Sequence, residues 1–238
     1  MQGRLQVGAV IRRVFEIYVD QAPVLMPAAA VVFVFTGVLS AALLAAGPGL
    51  AIVSLLIVLV ATMLFTGMVV ELVADVQDGR RDATPGQLLR AVMPVLGQLI
   101  GVAIVASLAI VVGLFLLIIP GLILITVWFV AVPVVVLERP PGLRALGRSR
   151  ELVRGNGWPV FGVILVLVVL VNVLASAIEI AAQSAGTGVG IVVQVILGVL
   201  TAPLLALASS VLYFELGGAA APQRAQSEPA DAPPDIGL

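Results

Sequence analysis

Three glutamates close aliphatic runs in the chain, in the contexts Val69-Val70-Glu71, Val136-Leu137-Glu138 and Tyr213-Phe214-Glu215. A carboxylate in such a place has two uses. It can pair with an arginine, and Arg12 or Arg13, Arg90, and Arg148 or Arg150 are placed to complete a ring of ion pairs at one end of a bundle. It can also sit at a helix end and reach polar headgroups by snorkelling, which is the simpler reading. Acid–base or covalent catalysis needs other groups as well. The chain has no His and no Cys, and all 12 basic residues are Arg. There is therefore no imidazole or lysine base, no thiolate nucleophile, no disulfide, no haem ligand and no N/S zinc site. Ser209-Ser210 has no base to activate it. No catalytic residue, metal or cofactor is expected, and the chain reads as a non-enzyme.

Two other polar groups have chemical potential. Asn172 and Gln194 lie in long apolar runs, where an amide can hydrogen-bond between helices for roughly 0.6 to 2 kcal/mol or touch a substrate. Arg144, Arg148, Arg150 and Arg154, with Arg139, form the densest basic patch, on an amphipathic segment. Such a patch contacts anionic headgroups at roughly 1 kcal/mol per residue near the surface; ordinary orientation by positive charge explains it equally well.

These residues must be positioned by elements that suit a very apolar chain. Of 238 residues 61% are hydrophobic and 11% charged, whereas a soluble domain is about a quarter charged. The surface must face lipid. A membrane-crossing helix needs about 20 mostly apolar residues, and six segments qualify, at 22–46, 50–74, 99–119, 121–137, 158–182 and 189–213. The third and fourth form one uncharged run, roughly 58 Å long as a single helix, so it must break, and Pro120-Gly121 is the expected break. Gly47-Pro48-Gly49 and the stretch 183–188 turn the other two pairs. The expected fold is all-α, an integral membrane protein of six transmembrane helices in three hairpins.

Arginine placement orients it, because basic residues stay cytoplasmic when loops are short. Arg4, Arg12 and Arg13 precede the first span. Arg80, Arg81 and Arg90 lie between spans two and three, Arg139 to Arg154 between four and five, and Arg224 after six. Both termini are then cytoplasmic, and Glu179 is the only charge toward the outer side. All-arginine usage suggests GC-rich coding, so the expected location is the bacterial cytoplasmic membrane. A net charge of −1 gives no field for nucleic acid.

Each hairpin is preceded by a segment of helical apolar spacing. In the first, Val7, Val10, Ile11, Val14 and Tyr18 face away from Arg12, Arg13, Glu16 and Asp20. The second starts at Thr84-Pro85, an N-cap followed by proline; the third covers 143–153. These read as interfacial helices. With the closing glutamates they give three pseudo-repeats, at about 3–76, 84–138 and 142–216. Residues 217–238, rich in Pro, Ala, Gln and Ser, read as a disordered cytoplasmic tail.

Several stretches resemble a known family: VIRRVFEIY at 10–18, LIIPGL at 117–122, VVVLE at 134–138, RALGRSRELVRGNGW at 144–158, and Leu212-Tyr213-Phe214-Glu215. They are similar to the bacterial membrane domain found fused to some glycerophosphoryl diester phosphodiesterases and also on its own. The resemblance implies six spans and little about activity. The phosphodiesterase chemistry of the fused proteins belongs to a separate soluble domain with its own His, which this chain lacks.

Two functional classes follow. The first is a non-enzymatic membrane protein, a scaffold or a lipid- or partner-binding subunit at the inner face, with anionic lipids and a membrane protein as its partners. The second is a transporter or lipid translocator along the repeat axis. No span carries an ionisable group near its centre, and transport sites usually do, which favours the first.

Overall fold

The structure is a computed structural model that describes residues 5–79, 84–183 and 187–217, without the side chains at 44, 48, 174, 177, 179, 181–191 and 194. Arg4, Arg80, Arg81, Arg224, the tail beyond 217 and the side chains of Glu179 and Gln194 therefore lie outside the described residues. The helices are α1 (Val7–Asp20), α2 (Ala22–Ala46), α3 (Ala51–Gln77), α4 (Pro85–Val92), α5 (Leu96–Leu116), α6 (Ile118–Trp128), α7 (Ala131–Pro133), α8 (Arg144–Val153), α9 (Gly157–Gln183) and α10 (Thr187–Glu215), with a π turn at Val134–Glu138. All the regular structure described is helical. Five helical stretches are long and apolar enough to cross a membrane, and α9 makes a sixth if it is taken with α8, to which it is bent by 100°. By helix length and hydropathy this is a multi-pass membrane protein.

Two prolines coincide with helix ends, whereas Pro27 and Pro203 lie inside α2 and α10. A proline ring clashes with the carbonyl four residues earlier. For Pro120 that residue is Leu116, the last of α5, and Leu117 is extended at φ −158° and ψ 127°. The break therefore falls at Leu117, three residues before the expected Pro120-Gly121. Pro120 itself sits in the first turn of α6, where its missing N–H has no partner to lose. Pro133 acts in the same way on Phe129, so α6 stops at Trp128. The second amphipathic segment also differs from expectation. Thr84 caps α4, its backbone N–H donating to Gln87 Oε1 at 2.8 Å. From there α4 runs through a 3-10 turn at Met93–Val95 into α5, so that Pro85–Leu116 acts as a single long helix. The α8–α9 junction, in contrast, is bent by 100°.

The core lies at one end. Phe65 to Val73 of α3, Val130 to Val136 around α7, and Ala206 to Tyr213 of α10 supply most of the buried apolar side chains. These are the stretches just before Glu71, Glu138 and Glu215, and their helices pack on one another. The buried apolar residues of α2, α5 and α9 also lie in the halves nearest this charged end. Toward the turns, apolar side chains are exposed, Phe115 by 90%, as lipid contact requires.

The amphipathic helices close the charged end. α1 buries Val10, Val14 and Ile17 against α9 and α10, and the Tyr18 hydroxyl donates to the Leu200 carbonyl at 2.9 Å. Burial raises the Tyr18 pKa, which keeps that donor protonated. α4 packs on α3, and α8 packs on α6 and α7.

Candidate functional site

The π turn at Val134–Glu138 is closed by the residue that follows it. The Arg139 N–H reaches back five residues to the Val134 carbonyl at 3.2 Å, and Arg139 takes left-handed dihedrals, φ 49° and ψ 44°. Arg139 is the single non-glycine residue with positive φ among those described. This wide turn, of a kind frequent at functional sites, ends the span with Glu138 pointing into a polar node. The loop that follows is pinned from α5, where the Gln98 amide donates to the carbonyls of Pro140 and, at 3.0 Å, Gly142.

Both oxygens of Glu138 are engaged. Arg148 Nε donates to Oε2 at 2.9 Å, and the Tyr213 hydroxyl donates to Oε1 at 3.1 Å. The Glu138 side chain is 16% exposed and that of Arg148 34%, so this pair is partly withdrawn from water and outweighs a surface pair. Its hydrogen bond to Glu138 raises the Arg148 pKa, against the desolvation that lowers it. Arg148 also reaches Glu151 at 3.6 Å. Next to Arg148 on α8, the fully buried Ser149 donates to the Val127 carbonyl at 2.8 Å. That carbonyl lies in the last turn of α6, where the helix leaves such groups without partners. The node thus ties α8 to α6, to the end of the fourth span and to α10.

The other two glutamates form no such node. Arg12 and Arg13 both pair with Glu16 at 3.6 Å on α1's own surface. Glu71 is half-buried and has no ion pair among the described residues. Glu215 is exposed, and among the described residues it has no ion pair; the same is true of Arg90 and Arg150. The ring of three pairs therefore reduces to one. Arg12 and Arg13 have an acid three or four residues away on the same helix, which costs less chain ordering than a reach across the bundle. Asn172, expected to reach another helix or a substrate, donates to the Val168 carbonyl of its own helix at 2.8 Å. Arg144, Arg150 and Arg154 are exposed along α8 and its end. Among the described residues no group of His, Cys, Asp and Glu could hold a metal. Tyr213, Ser149, Gln98 and Arg139 were not singled out from sequence as members of this node. Tyr213 carried the one available signal, a phenol two residues before a closing glutamate in a chain with 2 Tyr.

A family model described as Domain of unknown function (DUF8558) matches residues 87–216, more than half of the chain. The chain belongs to that family. No curated protein and no solved structure matches it. The DUF8558 segment runs from α4 to the residue after Glu215 and contains every member of the Glu138 node.

Proposed function

We propose that this DUF8558 protein is a non-enzymatic, multi-pass component of the bacterial cytoplasmic membrane, a scaffold or lipid- and partner-binding subunit working at the inner face. The engagement of Glu138 carries this reading. With Arg148 and Tyr213 on its two oxygens, the acid's role is to hold α8 against two spans, which is architectural work. In this reading six spans form three hairpins, both termini are cytoplasmic, and α1 and α8 lie at the inner headgroup level. The packing of α1 on α10, α4 on α3 and α8 on α6 supports three pseudo-repeats arranged in a cycle. Kinship with the membrane domain of the phosphodiesterase-linked proteins belongs to the same proposal, without their activity.

The test is native purification into lipid nanodiscs, followed by mass spectrometry of whatever remains bound. A stoichiometric membrane protein or a selected lipid is the expected result. Absence of both, together with solute or lipid movement in proteoliposomes, would overturn the proposal in favour of a transporter.

A further inference from the structure

One apolar groove, about 720 Å³ beside α2 and α3, has no charged residue in its wall. A smaller one, about 510 Å³, runs where α6 meets α9, between Ile119, Leu122 and Ile123 on one side and Trp158 and Phe161 on the other. The two rings meet edge to face, centroids 6.2 Å apart. Its end distinguishes it. Val127, Val153 and Gly157 line this groove and also an adjoining cavity of about 430 Å³ whose wall carries Arg150, Glu151 and Arg154. Glu151 is engaged by Arg148 at 3.6 Å, whereas Arg150 and Arg154 have no ion pair among the described residues. An apolar slot therefore opens into a mouth with two cations available.

We infer that this is a binding site for one anionic glycerophospholipid, with its phosphate between Arg150 and Arg154 and an acyl chain in the slot between α6 and α9. The inference rests on the proposed embedding, with α8 at the inner headgroup level. Water would satisfy the mouth and not the slot, and hydrocarbon the reverse; a single amphiphile satisfies both. Guanidinium groups suit phosphate because their planar forks donate paired hydrogen bonds. Trp158, 85% exposed at the start of α9, is the residue type that belongs at headgroup depth. Diffuse attraction to a basic surface would need no slot beside the charges. Here the slot and the charges share walls.

The experiment is native mass spectrometry of the full chain in detergent, titrated with phosphatidylglycerol, with phosphatidylcholine of the same chains, or with glycerol phosphate. One phosphatidylglycerol should be retained, with phosphatidylcholine bound at least several-fold more weakly and glycerol phosphate not retained. Each of Arg150→Gln and Arg154→Gln should weaken phosphatidylglycerol about fivefold, the worth of one basic residue at an anionic surface. Both residues are exposed and without an ion pair among the described residues, so folding should survive, and size-exclusion behaviour checks it. Arg12→Gln should change nothing. Ile123→Trp, which fills the slot, should lower retention of both lipids. Independently of any variant, a phosphatidylglycerol with a photoreactive tail should label peptides containing 119–123 and 158–161. Equal retention of the two lipids, retention of glycerol phosphate as strong as that of the lipid, or labelling elsewhere would each overturn the site. Single-cysteine labelling of Arg144→Cys in cells tests the embedding separately. External labelling removes the proposed orientation, whereas internal labelling with no lipid selectivity in detergent removes the site alone.

Discussion

Glu138 accepts one hydrogen bond from a cation on α8 and another from a phenol on α10, so each bond can be removed alone. Hydrogen bonds to a charged group contribute about 1.5 to 3 kcal/mol. Tyr213→Phe keeps the ring and its packing and should lower unfolding stability in detergent by roughly that amount, read as a shift in a denaturant titration. Replacing Glu138 by Arg should strongly reduce folded protein, and adding Arg148→Glu should restore part of it. Additive losses in that cycle would mean the two side chains do not act as a pair. The pairing of Glu138 with Arg148 was one of the alternatives open in the sequence, because the types and their ten-residue spacing were visible. The rest of the expected ring was not decidable there. Which way a glutamate at a span end points depends on rotation about the helix axis, and spans apolar on every side mark no inward face.

At the scale of elements, the close approaches are made by glycines. A Cβ on Gly67 would meet the fully buried Val92 side chain at 2.7 and 3.1 Å, where α4 packs on α3. One on Gly121 would reach the Leu114 backbone nitrogen at 2.7 Å, where α5 and α6 lie together. Small residues allow such contact between membrane helices. Overpacking typically costs about 1 to 3 kcal/mol, so Gly67→Ala and Gly121→Ala should each lower the thermal midpoint in detergent. Gly8→Ala, with open space around it, is the control that should not. Helix extents were readable from hydropathy, and α2 occupies the expected 22–46. Break positions were less so. The pattern points to Pro120, whereas α5 ends at Leu116, whose carbonyl the ring would strike, and Pro27 and Pro203 are carried inside α2 and α10. The separate interfacial helix expected before the third span came from its amphipathic spacing, and that spacing does not show that the chain continues through a 3-10 turn at Met93–Val95 into α5.

For the whole molecule, the distribution of arginines predicts an orientation that the chain makes easy to measure, because its native sequence has no Cys. A single cysteine in place of Gly47 should react with a membrane-impermeant maleimide added to intact cells, and one in place of Arg144 only after the membrane is opened. The opposite pattern would invert the topology. The packing predicts a gradient along the same axis. Backbone amides near Val70, Val135 and Leu207, in the buried core, should exchange with deuterium far more slowly than those near Leu117. The amount of apolar surface was evident from composition. Its concentration at one end was not, since that depends on how the long helices lean together.

That lopsided core has a mechanical consequence. A bilayer whose thickness differs from a helix's apolar length is accommodated by tilting, at fractions of a kcal/mol per Å. Near the 47–49 turn the described residues bury no apolar side chain, so the distal ends of α2 and α3 are held by less packing than the charged end, whereas α5 and α6 stay in close contact at their turn through Gly113 and Gly121. A change in thickness should therefore be met mainly by α2 and α3 near their turn, away from Glu138, Arg148 and Tyr213 at the charged end.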